Sequence, residues 1–184
     1  MTSEVLPIGS RAPYFELPEP ATGNTWRLDN FSDKQALLVM FICNHCPYVV
    51  HLKKAFTDFA KDYLSKGLGI VAISSNSIKS HPQDGPQFMA ADAKQYGYPF
   101  PYVYDESQSV AKAYGAVCTP DLFLFKKVAD GFVLVYHGQF DDSRPRNGQP
   151  VTGKDMRAAV DCVLSGNEIT FPPKPCVGCS IKWA

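Results

Sequence analysis

The chain has 184 residues, of which 45% are hydrophobic and 20% are charged, a composition typical of one globular domain with its own core. Eighteen basic residues balance eighteen acidic ones, which argues against broad electrostatic binding to nucleic acid or to an anionic membrane. No apolar run approaches the roughly 20 residues that span a bilayer, and the first residues do not resemble a signal peptide. We therefore expect a cytoplasmic protein, in which six cysteines indicate redox chemistry or metal binding rather than a structural disulfide framework.

The first half of the sequence predicts an extended lead-in, a buried strand and an amphipathic helix. Residues 1–35 are rich in proline and glycine, and we interpret them as an N-terminal extension with one hairpin around residues 25–28. Seven consecutive apolar residues at 36–42 predict a strand buried on both faces. After Pro47 the apolar side chains recur at helical spacing, which places Lys53 on the polar face of that helix.

Strands and helices then alternate along the chain. We predict strands at 69–74, 101–105, 122–125 and 132–136, and helices at 86–96, 109–114 and 152–165. The last helix has a capping-box-like start at Thr152. The alternation implies parallel strands with crossover helices, and the final two strands predict an antiparallel hairpin. The fold class is therefore α/β, a mixed sheet flanked by helices, with a domain at 1–168 and a proline-rich extended C-terminal arm at 169–184.

Two cysteines, Cys43 and Cys46, stand where the buried strand gives way to the helix. The N-terminus of a helix stabilises a thiolate, because its first amides lack partners and the helix dipole is positive there. The Cys-x-x-Cys spacing lets the two sulfurs form a disulfide, and the imidazole of His45 between them favours a thiolate when protonated. We predict Cys43 to be the more exposed nucleophile and Cys46 to be the resolving cysteine, one turn inward.

This cysteine pair at a strand-to-helix junction, followed much later by Thr119-Pro120 ahead of another strand, resembles the thioredoxin superfamily. The resemblance implies a thioredoxin-like fold in which Pro120 follows a cis peptide bond and faces the cysteine pair. Over nearly its whole length the chain is similar to the peroxiredoxin-like (AhpC/TSA-type) group of that superfamily. The segments that carry this likeness are Cys-Asn-His-Cys-Pro-Tyr-Val (43–49), Tyr-Pro-Phe-Pro-Tyr (98–102), Cys-Thr-Pro-Asp (118–121), Gly-Gln-Phe-Asp-Asp-Ser-Arg-Pro (138–145) and Gly-Cys-Ser-Ile-Lys-Trp (178–183).

One departure from that group bears on the chemistry. Peroxiredoxins carry a Pro-x-x-x-Thr-x-x-Cys pattern, whereas Ala36 and Met40 occupy the proline and threonine positions ahead of Cys43. The hydroxyl that would orient a peroxide is therefore missing from this segment. Dithiol chemistry is favoured over peroxide reduction for this reason.

The other cysteines leave alternatives open. Cys118 directly precedes Thr119, so it lies either near the cysteine pair or in the core. Cys176 and Cys179 form a second Cys-x-x-Cys, either a redox relay on a mobile arm or thiols incidental to a docked arm. Both pairs together could also make a four-thiolate zinc site.

The polar loop that follows the hairpin adds one more candidate residue. Arg144 is a candidate for a contact near the disulfide, the alternative being a solvated turn. Charged residues of such loops usually face solvent, and the sequence gives this loop no catalytic role of its own.

These observations predict an enzyme, a thiol–disulfide oxidoreductase in which Cys43 attacks and Cys46 resolves, and which needs no metal or other cofactor. We expect a protein or small-molecule thiol or disulfide as substrate, with thioredoxin or glutathione as the electron donor. Two alternatives remain, a peroxiredoxin-like thiol peroxidase and a metal-binding protein that uses the cysteine pairs. The predicted site comprises Cys43, His45, Cys46, Thr119 and Pro120.

Overall fold

A five-stranded mixed sheet forms the centre of the protein, in the order β5 (Tyr102–Tyr104), β4 (Leu68–Ser74), β3 (Ala36–Phe41), β7 (Asp121–Val128) and β8 (Gly131–His137). The structure is a computed structural model that describes residues 5–184, so the first four residues of the predicted N-terminal extension lie outside it. The neighbouring strands β3, β4 and β5 are parallel, and β7 and β8 add the predicted antiparallel hairpin. The other strands are β1 (Glu16–Pro18), β2 (Thr25–Arg27), β6 (Cys118–Thr119) and β9 (Cys179–Ser180).

The helices cover both faces of this sheet. They are α1 (Pro47–Val50), α2 (Lys53–Tyr63), α3 (Pro86–Tyr96), α4 (Ser109–Tyr114) and α5 (Lys154–Leu164). Because side chains alternate along a strand, β3 feeds two separate cores: Leu38 and Met40 pack on one face, and Leu37 and Val39 on the other. All six residues of β3 are buried, as an uninterrupted apolar run predicts for a central strand. No helix within residues 5–184 combines the length and apolar character needed to cross a membrane.

Three local predictions about the helices are wrong. The helix expected after Pro47 is two helices, α1 and α2, separated by a turn. Lys53 is buried rather than on a solvated face, because its ammonium group donates to the carbonyl of Asn44 at 2.8 Å and pairs with Asp92. Thr152 does not cap α5: the N-cap is Gly153, at φ 70°, where a side chain would strain the backbone.

The C-terminal arm is extended, as its prolines predict, and it is docked on the domain. Strand β9 pairs with β6 in an antiparallel ladder that places Cys179 opposite Thr119. Ile181 is 3% exposed, and its amide donates to the carbonyl of Val117 at 3.0 Å. A Cβ on Gly178 would stand 2.0 Å from the carbonyl oxygen of Thr119. The arm therefore lies so close to β6 that only glycine fits at position 178.

Candidate active site

Cys43 follows β3, and Cys46 is the N-cap of α1, as the sequence predicts for a strand-to-helix junction. The carbonyl of Cys46 accepts the amides of Val49 and Val50, which starts the helix. Both cysteines are buried, with exposed fractions of 1% for Cys43 and 0% for Cys46. The sequence predicts Cys43 to be the more exposed of the two, and the structure buries both.

The peptide bond between Thr119 and Pro120 is cis, as the resemblance to the thioredoxin superfamily implies. Thr119, the residue before the cis bond, contacts both cysteines. The hydroxyl oxygen of Thr119 lies 3.6 Å from the Cys43 sulfur, and the Cys46 thiol points at the carbonyl of Thr119 at 3.5 Å. The structure thus brings together the two cysteines and the Thr-Pro dipeptide that the sequence selected.

The two thiols shift each other's pKa in opposite directions. Interaction with Cys43 lowers the pKa of Cys46 from the ordinary 9.0 to about 4, although burial opposes this shift. The same interaction raises the pKa of Cys43, and burial and the negative charge of Asp84 raise it further. These shifts favour ionisation of Cys46 over that of Cys43, whereas the sequence suggested Cys43.

Asp84 is a part of the site that sequence reasoning missed. Its fully buried carboxylate accepts the backbone amides of Asn44 at 2.8 Å and His45 at 3.2 Å, and the side-chain amide of Asn76 at 2.9 Å. These bonds fix the backbone between the two cysteines. In the sequence Asp84 stands in a polar loop, and no local signal connects that loop with the cysteine pair.

His45 also contacts Asp84, because its Nδ1 lies 2.5 Å from the second carboxylate oxygen. Its ring stacks on His81 with 4.9 Å between the ring centroids. A ring nitrogen of His45, an oxygen of Asp84 and the Cys43 sulfur all lie within 4.8 Å of one another. The imidazole is therefore near the thiol, as expected, but its hydrogen-bond partner is a carboxylate.

The second Cys-x-x-Cys is split between two partners. Cys176 forms a disulfide with Cys118, which lies 58 residues earlier, whereas Cys179 is free. Adjacent residues of a strand point to opposite faces, so this disulfide lies on the face of β6 opposite to the one that Thr119 presents to Cys43. The structure thus contains a disulfide where none was expected, and Cys176 is bonded to Cys118 rather than available with Cys179 for the relay that the sequence left open.

This arrangement bears on the metal alternative. Cys176 is engaged in the disulfide, so the four-thiolate site suggested by the sequence does not form in this structure. Among the described residues, Cys43, His45 and Asp84 are close enough together to share an ion. The imidazole and carboxylate already bond to each other, however, and an ion would have to displace that contact.

Arg144 lies near the site and is held by its own loop. Its guanidinium donates to the carbonyls of Asp141 and Ser143 and to the side chain of Gln139. Together with Pro120 it lines a small pocket, about 20 Å³, which is room for about one water molecule. Arg144 therefore lies beside Pro120, but its guanidinium hydrogen bonds are all made within its own loop.

Comparison with known proteins agrees with this architecture. The profile of the AhpC/TSA family matches residues 8–133. The chain is 30% identical over 144 residues to a peroxiredoxin Q, chloroplastic, of Triticum aestivum, a match that spans 74% of this chain and only 61% of the wheat protein.

Solved structures extend the comparison to nearly the whole chain. A hypothetical protein of Sinorhizobium meliloti 1021 is 51% identical, with a TM-score of 0.94 and coverage of 99% of this chain and 97% of that one. A putative thiol:disulfide interchange protein DsbE of Chlorobium tepidum is 18% identical, with a TM-score of 0.63 over 86% of this chain and 99% of its own. This last likeness is one of fold alone.

Proposed function

We propose that this chain, which belongs to the AhpC/TSA family of the thioredoxin superfamily, is a thiol–disulfide oxidoreductase that works through Cys43 and Cys46. The observation that carries the proposal is the placement of the two cysteines at the strand-to-helix junction, where both contact Thr119 of the cis Thr119-Pro120 peptide. Interaction with Cys43 lowers the pKa of Cys46, and a thiolate is the species that attacks a disulfide.

The exchange has two steps. Cys43, after passing its proton to Cys46, attacks a sulfur of the substrate disulfide and forms a mixed disulfide, and one substrate thiolate leaves. Cys46 then loses its proton and attacks the Cys43 sulfur, which releases the second substrate thiolate and leaves the Cys43–Cys46 disulfide. The protein loses two electrons and the one proton that the pair held, and the substrate gains the two electrons, that proton and a second proton from solvent. Run in reverse, the same steps donate a disulfide.

The partners follow from this chemistry. The substrate is a protein or small-molecule disulfide, and thioredoxin or glutathione would restore the dithiol in a reducing compartment such as the cytoplasm. Both sulfurs are buried under the arm and β6, so substrate access requires the arm or a neighbouring loop to move. A thiol at an exposed helix N-terminus would react with many disulfides, whereas the burial of Cys43 and Cys46 restricts which substrates reach them.

An equilibrium redox titration in glutathione buffers tests the proposal, with thiols trapped by alkylation and disulfides mapped by peptide mass. We expect Cys43 and Cys46 to interconvert as a pair, with a midpoint between about −120 mV, as in a strong oxidant, and about −270 mV, as in a reductant. Cys43→Ser should abolish exchange, and Cys46→Ser should trap mixed disulfides. Cys162→Ser, on α5 and outside the site, is the matched control. A pair that never forms a disulfide would refute the proposal.

A second function, thiol peroxidase activity, has one observation in its favour. Met40 cannot orient a peroxide, but the Thr119 hydroxyl, 3.6 Å from the Cys43 sulfur, offers a donor from another element. The assay is consumption of hydrogen peroxide coupled to a thiol donor. Thr119→Val should lower that rate if the hydroxyl orients the peroxide, and an unchanged rate would count against this role.

A further inference from the structure

The Cys46 sulfur has a second cysteine beside it. Strand pairing places Cys179 opposite Thr119, the residue whose carbonyl receives the Cys46 thiol. The Cys179 side chain packs against the same core cluster that contains both cysteines of the pair. Paired residues of neighbouring strands point to the same face, so Cys179 projects to the side on which Thr119 contacts the Cys43 sulfur, and Cys46 and Cys179 are near enough to shift each other's pKa. Cys43, Cys46 and Cys179 therefore form a row of three sulfurs with Cys46 in the middle.

The position of Cys179 is fixed by several independent contacts of the arm. On the N-terminal side of Cys179, the backbone of Gly178 lies against the carbonyl of Thr119. On its C-terminal side, the amide of Ile181 donates a hydrogen bond to the carbonyl of Val117. The amide of Lys182 donates to the side chain of Asn76 at 2.9 Å. On the N-terminal side the Cys118–Cys176 disulfide ties the arm to β6. The third sulfur is therefore held in place rather than carried on a free tail.

We propose that Cys179 is a second resolving cysteine, which accepts the disulfide from the Cys43–Cys46 pair as a Cys46–Cys179 bond. This inference rests on the proposed oxidoreductase function and adds one step to it. The Cys179 thiolate attacks the Cys46 sulfur of the Cys43–Cys46 disulfide. The Cys46–Cys179 bond forms as the Cys43–Cys46 bond breaks, and Cys43 leaves as a thiolate that takes up the proton lost by Cys179. No electrons enter or leave, so the step needs no further reagent.

The electrostatics of the row controls when this step occurs. In the reduced protein, burial and then the hydrogen bond and negative charge of Cys46 raise the pKa of Cys179 to about 11. Cys179 is thus a neutral thiol and a weak nucleophile while Cys46 is reduced. Oxidation of Cys46 removes its charge and its hydrogen bond, and the cation of Lys182 continues to favour the Cys179 thiolate. Burial still raises the pKa of Cys179, but the thiol is more reactive after the first disulfide has formed than before.

Transfer to Cys179 changes what a reductant can reach. Cys43 and Cys46 are fully buried, whereas Cys179 is partly exposed. A Cys46–Cys179 disulfide therefore presents one sulfur nearer the surface to an incoming thiol, and it returns Cys43 to the reduced state. Cys43 would react with the substrate disulfide, and Cys179 on the arm would be the sulfur that the reductant reaches.

The first test maps disulfides in the unaltered protein. The protein is oxidised with a limited amount of glutathione disulfide, quenched in acid, alkylated and digested. We expect the disulfide-linked Cys46–Cys179 peptide among the digestion products of the oxidised protein. If Cys179 is fully alkylated in every oxidised sample, the inference is overturned.

Variants separate this inference from the proposed function. Cys43→Ser, a nearly isosteric change, leaves Cys46 and Cys179 as neighbours and should form their disulfide directly, with Cys162→Ser as control. A Cys43→Ser protein that yields only glutathione adducts at Cys46 contradicts the inference. In Cys179→Ser the Cys43–Cys46 disulfide should still form, and its absence there and in the unaltered protein would instead refute the oxidoreductase function. Circular dichroism verifies that each variant is folded.

Discussion

Replacement of Gly178 by alanine tests whether the close approach of the arm holds the site together. The new Cβ would stand 2.0 Å from the Thr119 carbonyl oxygen and 2.7 Å from its carbon, against an ordinary separation of about 3.5 Å between non-bonded heavy atoms. The neighbouring atoms are backbone and cannot rotate away. The arm must therefore move by about 1.5 Å relative to β6.

That movement breaks specific contacts. The hydrogen bond from Ile181 to Val117 contributes about 1 kcal/mol, and the burial of the Ile181 side chain about 2 kcal/mol. We expect Gly178→Ala to lower the free energy of unfolding by about 3 kcal/mol and the melting temperature by about 6–12 °C. The Cys118–Cys176 disulfide should keep the arm tethered, so the shift is local.

Urea unfolding measures the stability, and alkylation of the native protein measures exposure of the site. Gly178→Ala should let iodoacetamide reach Cys46 and Cys179 faster than in the unaltered protein, because the arm no longer covers them. Ser180→Ala is the matched control, since Ser180 is an exposed residue of the same arm, two positions after Gly178. If Gly178→Ala unfolds within about 0.5 kcal/mol of the unaltered protein with equal alkylation rates, the reasoning about the arm is wrong.

Two further predictions concern charge in the site. Asp84→Asn should cost about 1–3 kcal/mol of stability, because the new amide group faces donors such as the side chain of Asn76. It should also speed alkylation of Cys43 at a given pH, because the charge of Asp84 raises the pKa of that thiol; slower alkylation would contradict this. The low pKa of Cys46 predicts thiolate absorbance that persists as the pH falls to about 4 and is absent in Cys46→Ser. Between about pH 4 and 9 the low pKa keeps the Cys46 thiol deprotonated in the folded protein, whereas it is protonated in the unfolded chain. The contribution of Cys46 to stability should therefore rise with pH over that window, and a fall would refute the low pKa of Cys46.

Much of the fold could be predicted because its signals are local. The seven apolar residues at 36–42 could only be buried on both faces, and α4 begins and ends where the helical spacing predicts. Gly97 ends α3 in the left-handed conformation that glycine adopts without strain. Lys53 was placed wrongly because periodicity assigns charged residues to solvent, whereas Asp92 and the Asn44 carbonyl give this one partners in the interior.

The sequence by itself determined the fold class and the position of Cys43 and Cys46 at a strand-to-helix junction, because both depend on neighbours in the chain. The resemblance to the thioredoxin superfamily supplied the expectation that Thr119-Pro120 faces that junction. Only the tertiary structure decided that Asp84 holds the backbone between the cysteines, and that Cys179 lies beside Cys46 while Cys176 joins Cys118. These contacts join residues 40 to more than 130 positions apart, and no sequence spacing specifies which distant side chains a folded chain brings together.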